Sequence, residues 1–102
     1  DSHTQIWKND AELKHTLETL EQHIDPNSNY KLGINWLFEP TINYYIETKK
    51  YRWLNKVTRD GYDETFDFYL VFETDTIPHK SVKKIQSFPI SKSILYQSTL
   101  QK

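Results

Sequence analysis

The sequence predicts a small α/β domain, a two- or three-layer arrangement around a sheet of about five strands, and three observations carry that expectation. Leu13, Leu17, Leu20 and Ile24 fall at helical spacing along one stripe. Phe66 to Glu73 alternates Phe66, Phe68, Leu70 and Phe72 against Asp67, Tyr69, Val71 and Glu73, the period of a strand. Between them, a strand-like run, a helical run and a second strand-like run follow in the order of a βαβ unit.

Length and composition bound the answer. The chain has 102 residues, enough for one domain spanning 1–102. Its hydrophobic content is 36% and its mean hydropathy −0.79. Three Trp, seven Tyr and five Phe make up for the shortage of aliphatic residues, because each aromatic buries about 150–250 Å². With a net charge of only −1, the chain is expected to fold around an aromatic-rich core.

The first helix is expected over Asn9–Ile24, with Asn9 as its cap and Glu12 in the capping-box position. Asp25-Pro26 ends it, since proline offers no N–H to the helical ladder. Tyr30–Trp36 reads as the first strand, bounded by turn residues and interrupted by Gly33. Pro40 suits the first position of a second helix running to about Lys50, and Glu39 places a carboxylate at its positive end. Lys49, Lys50 and Arg52 then form a solvated basic helix end.

Tyr51–Arg59 reads as a second strand, parallel to the first and closed by the turn pair Asp60-Gly61. Phe66–Glu73 is the third. Thr74–Ser81, polar and holding Pro78, is a connection. Val82–Ile90 and Ser93–Thr99 are expected to form an antiparallel hairpin at one edge, because the joint between them is too short for a parallel crossover.

Several chemistries are excluded by inventory. The absence of Cys removes disulfides, thiol nucleophiles and thiolate-bound metals. Eleven Lys and two Arg scattered among fourteen acids do not form the basic stripe of a nucleic-acid binder. Asp60, Asp63, Glu64 and Asp67 surround Gly61 without the ligand order of a calcium loop, and His3, His15, His23 and His79 show no metal-binding spacing. Neither a GxSxG elbow nor a glycine-rich phosphate loop is present. No cofactor and no metal are expected. The absence of Met, with Asp1-Ser2-His3-Thr4 at the start, reads as a piece of a longer chain.

The candidate site follows from the expected parallel pair. Its carboxyl ends would bring Asn35, Trp36, Glu39, Asn43 and Tyr44 beside Arg59 and Asp60, at the sheet edge where open α/β folds bind ligands. An aromatic face flanked by amide, carboxylate and guanidinium groups suits a sugar: the ring stacks on the C–H face and the polar groups meet the hydroxyls. The competing reading makes Trp36, Phe38 and Tyr44 core residues and pairs Arg59 with Asp60 or Asp63. A third makes Glu39 or Asp60 a general acid or base, which requires a closed pocket around that carboxylate.

Leu32–Tyr45 (LGINWLFEPTINYY), continued through Trp53–Gly61 (WLNKVTRDG) and Phe66–Tyr69 (FDFY), resembles the soluble tail of certain bacterial polytopic membrane proteins. Those proteins are similar to GT-C glycosyltransferases of the dolichyl-phosphate-mannose protein mannosyltransferase group. Trp7-x-x-Asp10-Ala11 matches the same tails. The resemblance implies an extracytoplasmic carboxy-terminal domain on the periplasmic face of a bacterial inner membrane. It also implies a parent that uses a lipid-linked sugar, with the transmembrane portion and a glycan or lipid-linked sugar as partners. The catalytic acid of that group lies near the first membrane spans, so no catalytic residue transfers to this chain.

Overall fold

The computed structural model describes residues 2–100, with side chains over 10–100. Helix α1 spans Ser2–Glu21, strand β1 Leu32–Ile34, a 3₁₀ turn Trp36–Phe38, helix α2 Glu39–Lys49, and strands β2 Phe68–Phe72, β3 Val82–Phe88 and β4 Ser93–Ser98. The sheet order is β1-β2-β4-β3. β1 runs parallel to β2, while β4 lies antiparallel to both β2 and β3. The architecture is mixed α/β, with four strands rather than five.

One face of the sheet carries the helices. Leu13, Leu17 and Leu20 of α1 and Ile42 and Ile46 of α2 join Leu32, Ile34, Phe68, Leu70, Phe88 and Leu95 in a single core. Ile24 lies past the end of α1 yet packs against that core, so the stripe outlasts the helix. The helix itself starts at Ser2, which places Asn9 inside it and corrects the expected cap. Glu12 makes a different connection: its two carboxylate oxygens accept the Ile90 and Ser91 amides at 2.9 and 2.8 Å, tying α1 to the β3–β4 turn. Such charge-assisted bonds are stronger than neutral ones.

The other face is covered by loops. Tyr69 and Val71 are buried there, the Tyr69 ring against those of Tyr62, Phe66 and His79. Gly33 permits this, because a Cβ at that position would lie 2.5 Å from the Tyr62 Cβ and 3.0 Å from the Tyr69 ring. β2 is therefore buried on both sides, and its alternation marks two packed faces instead of one packed and one wet.

The segment Tyr51–Arg59 is not a strand. It makes one isolated parallel bridge, Tyr30 to Leu54, through Tyr30 N–H to the Trp53 carbonyl at 2.7 Å and Asn55 N–H to the Tyr30 carbonyl at 3.0 Å. The physical reason is Asn43. Its side-chain amide donates to the Val57 carbonyl at 2.9 Å and accepts the Val57 N–H at 2.8 Å. A helix side chain thereby takes the backbone groups with which Val57 would have joined a ladder, and the parallel partner of β1 in the sheet is β2.

Candidate functional site

The carboxyl ends of β1 and β2 point to one end of the molecule, as parallel register requires. After β1, Asn35 Oδ1 accepts the Leu37 N–H at 3.0 Å and starts the 3₁₀ turn, while its Nδ2 donates to Asp75 Oδ2 at 3.0 Å. Asp75 Oδ2 also accepts the Phe72 N–H at 2.9 Å, so the corners after β1 and β2 are fastened together. The chain then enters α2 with Glu39 in the first turn and Pro at the start of the helix.

This corner holds its aromatics outward. Trp36 is 56% and Leu37 54% exposed, and Tyr44, further along α2, is 62% exposed. Phe38 alone of this group turns into the core, where its ring lies 4.8 Å from that of Phe72. The competing expectation therefore applies to Phe38 and fails for Trp36 and Tyr44.

The arginine–aspartate bend reaches the same corner. Arg59 Nε lies 3.6 Å from Glu39 Oε2, a pairing that the sequence did not suggest. Asp60 and Gly61 follow at the surface, with Gly61 at φ +93°, a conformation that glycine adopts without strain. Trp36, Tyr44, Arg59 and Asp60 are exposed and Glu39 is half-buried, whereas the Asn35 amide is engaged by Leu37 N–H and the Asp75 carboxylate and the Asn43 amide by the Val57 backbone.

On the α1 side of the same corner lies a cleft of about 260 Å³ that the sequence reading did not find. Leu13, Leu37, Phe38 and Phe72 supply its apolar lining, and Asp10, Thr41 and Ser91 its polar one. Asp10 Oδ2 accepts the Tyr45 hydroxyl at 2.9 Å. Burial, then the Asp10 hydrogen bond and its negative charge, push the Tyr45 phenol up to about 12. No signal in the sequence joins Asp10 to Thr41 and Ser91, because the three come from a helix, a second helix and a turn. A smaller cleft of about 200 Å³ adjoins it, sharing Phe72 and Ser91 and adding Lys92.

Glu39 and Asp60 line neither of these clefts, and Glu39 is ion-paired at the surface. That geometry does not suit a general acid or base. Among the described residues, no three His, Asp or Glu side chains converge as metal ligands, and no helix is long and apolar enough to cross a membrane.

The fold and site define a mixed α/β domain whose strand-carboxyl end carries an exposed aromatic corner beside a small mixed cleft. Comparison with protein-family models, with curated proteins and with solved structures gives no match to this chain.

Proposed function

We propose that the chain is a non-catalytic binding module that positions a glycan or a glycan acceptor, serving as the periplasmic part of a membrane glycosyltransferase-like protein. The observation that carries the binding reading is the exposure of two large aromatics, Trp36 and Tyr44, in the same stretch of chain as Glu39, which pairs with Arg59. Leaving a Trp and a Leu side by side in water forgoes about 1.5–3 kcal/mol for a side chain of leucine size, so this exposure runs against folding alone. Support for the membrane-bound parent and the periplasmic location comes from the sequence resemblance of Leu32–Tyr45 and Trp53–Gly61.

A second reading has its own support. Leu37 and Ile90 are exposed at the same end and offer no polar group to a sugar, which favours a protein-docking surface for the transmembrane portion or another partner.

Glycan-array screening followed by calorimetry separates the two. The carbohydrate reading predicts saturable binding that Trp36→Ala weakens about tenfold or more while thermal stability stays unchanged. Absence of binding to every glycan, together with capture of a membrane-protein partner that Leu37→Asp abolishes, overturns it in favour of docking.

A further inference from the structure

The cleft on the α1 flank of the corner has a chemistry of its own. Leu13, Phe38 and Phe72 make an apolar floor, and Asp10, Thr41 and Ser91 stand at the rim. The nearby Glu12 is occupied by the Ile90 and Ser91 amides, and Ser91 Oγ shares a 2.7 Å hydrogen bond with Ser93 Oγ. Asp10 Oδ2 accepts from Tyr45, and among the described residues Asp10 Oδ1 accepts no hydrogen bond. The Thr41 hydroxyl is half-buried in the first turn of α2 and makes no hydrogen bond with the described residues. The hydroxyl of a half-buried threonine and an exposed carboxylate, sharing a cleft with apolar side chains, are groups that a bound polyol engages.

We propose that this cleft is a subsite for a single uncharged sugar ring, the terminal unit of the glycan whose next unit meets Trp36. The inference rests on the carbohydrate reading and names the ligand class of one part of that surface. Size limits the occupant, because about 260 Å³ falls below the ~300–1,000 Å³ of pockets that enclose larger ligands. Charge limits it further: the Asp10 carboxylate favours hydroxyl donors and repels an acidic sugar. Direction follows from Leu37, which lines the cleft and adjoins exposed Trp36 in sequence, while α1 and the β3–β4 turn bound the cleft at Leu13 and Ser91. The ring's C–H face lies on the floor, one hydroxyl donates to Asp10 Oδ1, and others bond the Thr41 and Ser91 hydroxyls.

The test is an amide-resolved NMR titration of the chain with glucose, mannose, galactose, N-acetylglucosamine and glucuronic acid. The expected result is saturable shifts at Leu37, Thr41 and Ser91 for at least one neutral sugar, with glucuronic acid binding more weakly. Asp10→Asn is expected to weaken binding about tenfold and Thr41→Val about threefold, each with wild-type spectral dispersion. Shifts confined to Trp36 and Tyr44, with affinity unchanged in both variants, overturn the subsite and leave the carbohydrate reading standing. Cleft shifts with a monosaccharide are expected to persist in Trp36→Ala, because Trp36 meets only the next unit, and their loss in that variant overturns the subsite. No shift with any sugar, in the free form or as an oligosaccharide, overturns both.

Discussion

The dipeptide Trp-Leu occurs twice in this chain and meets opposite fates. Trp36 and Leu37 are 56% and 54% exposed, whereas Trp53 and Leu54 are 4% and 3% exposed. Composition is identical, so the difference lies in what the backbone does around each pair. The first pair sits on a 3₁₀ turn that begins where β1 ends, beyond the reach of the sheet and with Phe38 alone directed to the core. The second lies alongside Tyr30 through the isolated bridge, with the Trp53 ring 5.1 Å from that of Tyr51. Burial of the second pair even leaves Trp53 Nε1 without a hydrogen-bond partner among the described residues, a cost of about 1–3 kcal/mol that packing offsets. One tryptophan-leucine pair holds the fold together and the other is displayed.

The sharpest way to break this contrast is truncation of both tryptophans. Trp53→Ala is expected to destabilise by about 3–5 kcal/mol in urea unfolding, against within about 0.5 kcal/mol for Trp36→Ala. Comparable losses at the two positions would show that the exposed corner is structural.

The Asn43 clamp is what keeps the segment after Trp53 from becoming a strand. Asn43→Ala removes both bonds to Val57 and is expected to cost about 2 kcal/mol. Hydrogen exchange at Val57 and Asn55 reports whether the freed segment frays or zips onto β1.

Lys50 makes the bend that carries the chain from α2 toward Trp53, at φ 55° in the left-handed region. Lys50→Gly is expected to stabilise by about 0.5–1 kcal/mol, measured as a raised Tm. A loss of stability would mean that the Lys50 side chain contributes packing that its exposed position does not suggest.

The smallest effect concerns the Tyr45–Asp10 bond beside the displayed corner. Because folding raises the Tyr45 phenol to about 12 from the ordinary 10.0, the native state holds that proton more tightly than the unfolded chain. Its contribution is fully present below pH 10 and is lost as pH rises from there toward about 12. Tyr45→Phe is expected to flatten part of the alkaline decline in stability. Tyr51, Tyr62 and Tyr69, also raised chiefly by burial, retain the rest.

Much of the scaffold is legible from local pattern. The stripe Leu13, Leu17 and Leu20, the alternating Phe68–Phe72 core of a strand, and Pro40 at the head of α2 are signals contained in a few adjacent residues. Tyr51–Arg59 misleads for a physical reason: strand-like composition is necessary for a ladder, but its backbone groups must also be available, and Asn43 occupies those of Val57 from fourteen positions away. Arg59 nevertheless meets Glu39 at the start of α2, although the segment pairs only with Tyr30, ahead of β1. Asn35 and Asn43 show the limit of reading a site from residue type, because both amides that looked suited to a ligand have partners within the fold, Leu37 and Asp75 for one and Val57 for the other. The cleft at Asp10, Thr41 and Ser91 depends on the packing of α1 against the rest and leaves no local trace.

The Trp36 and Trp53 indole N–H resonances, two of the three in the chain, decide between display and packing when followed by NMR through a glycan titration and assigned with Trp36→Phe and Trp53→Phe variants. The account predicts that the Trp36 indole shifts saturably while the buried Trp53 indole does not move. A Trp36 resonance that stays fixed with every glycan, or one that moves only together with Trp53, would contradict it.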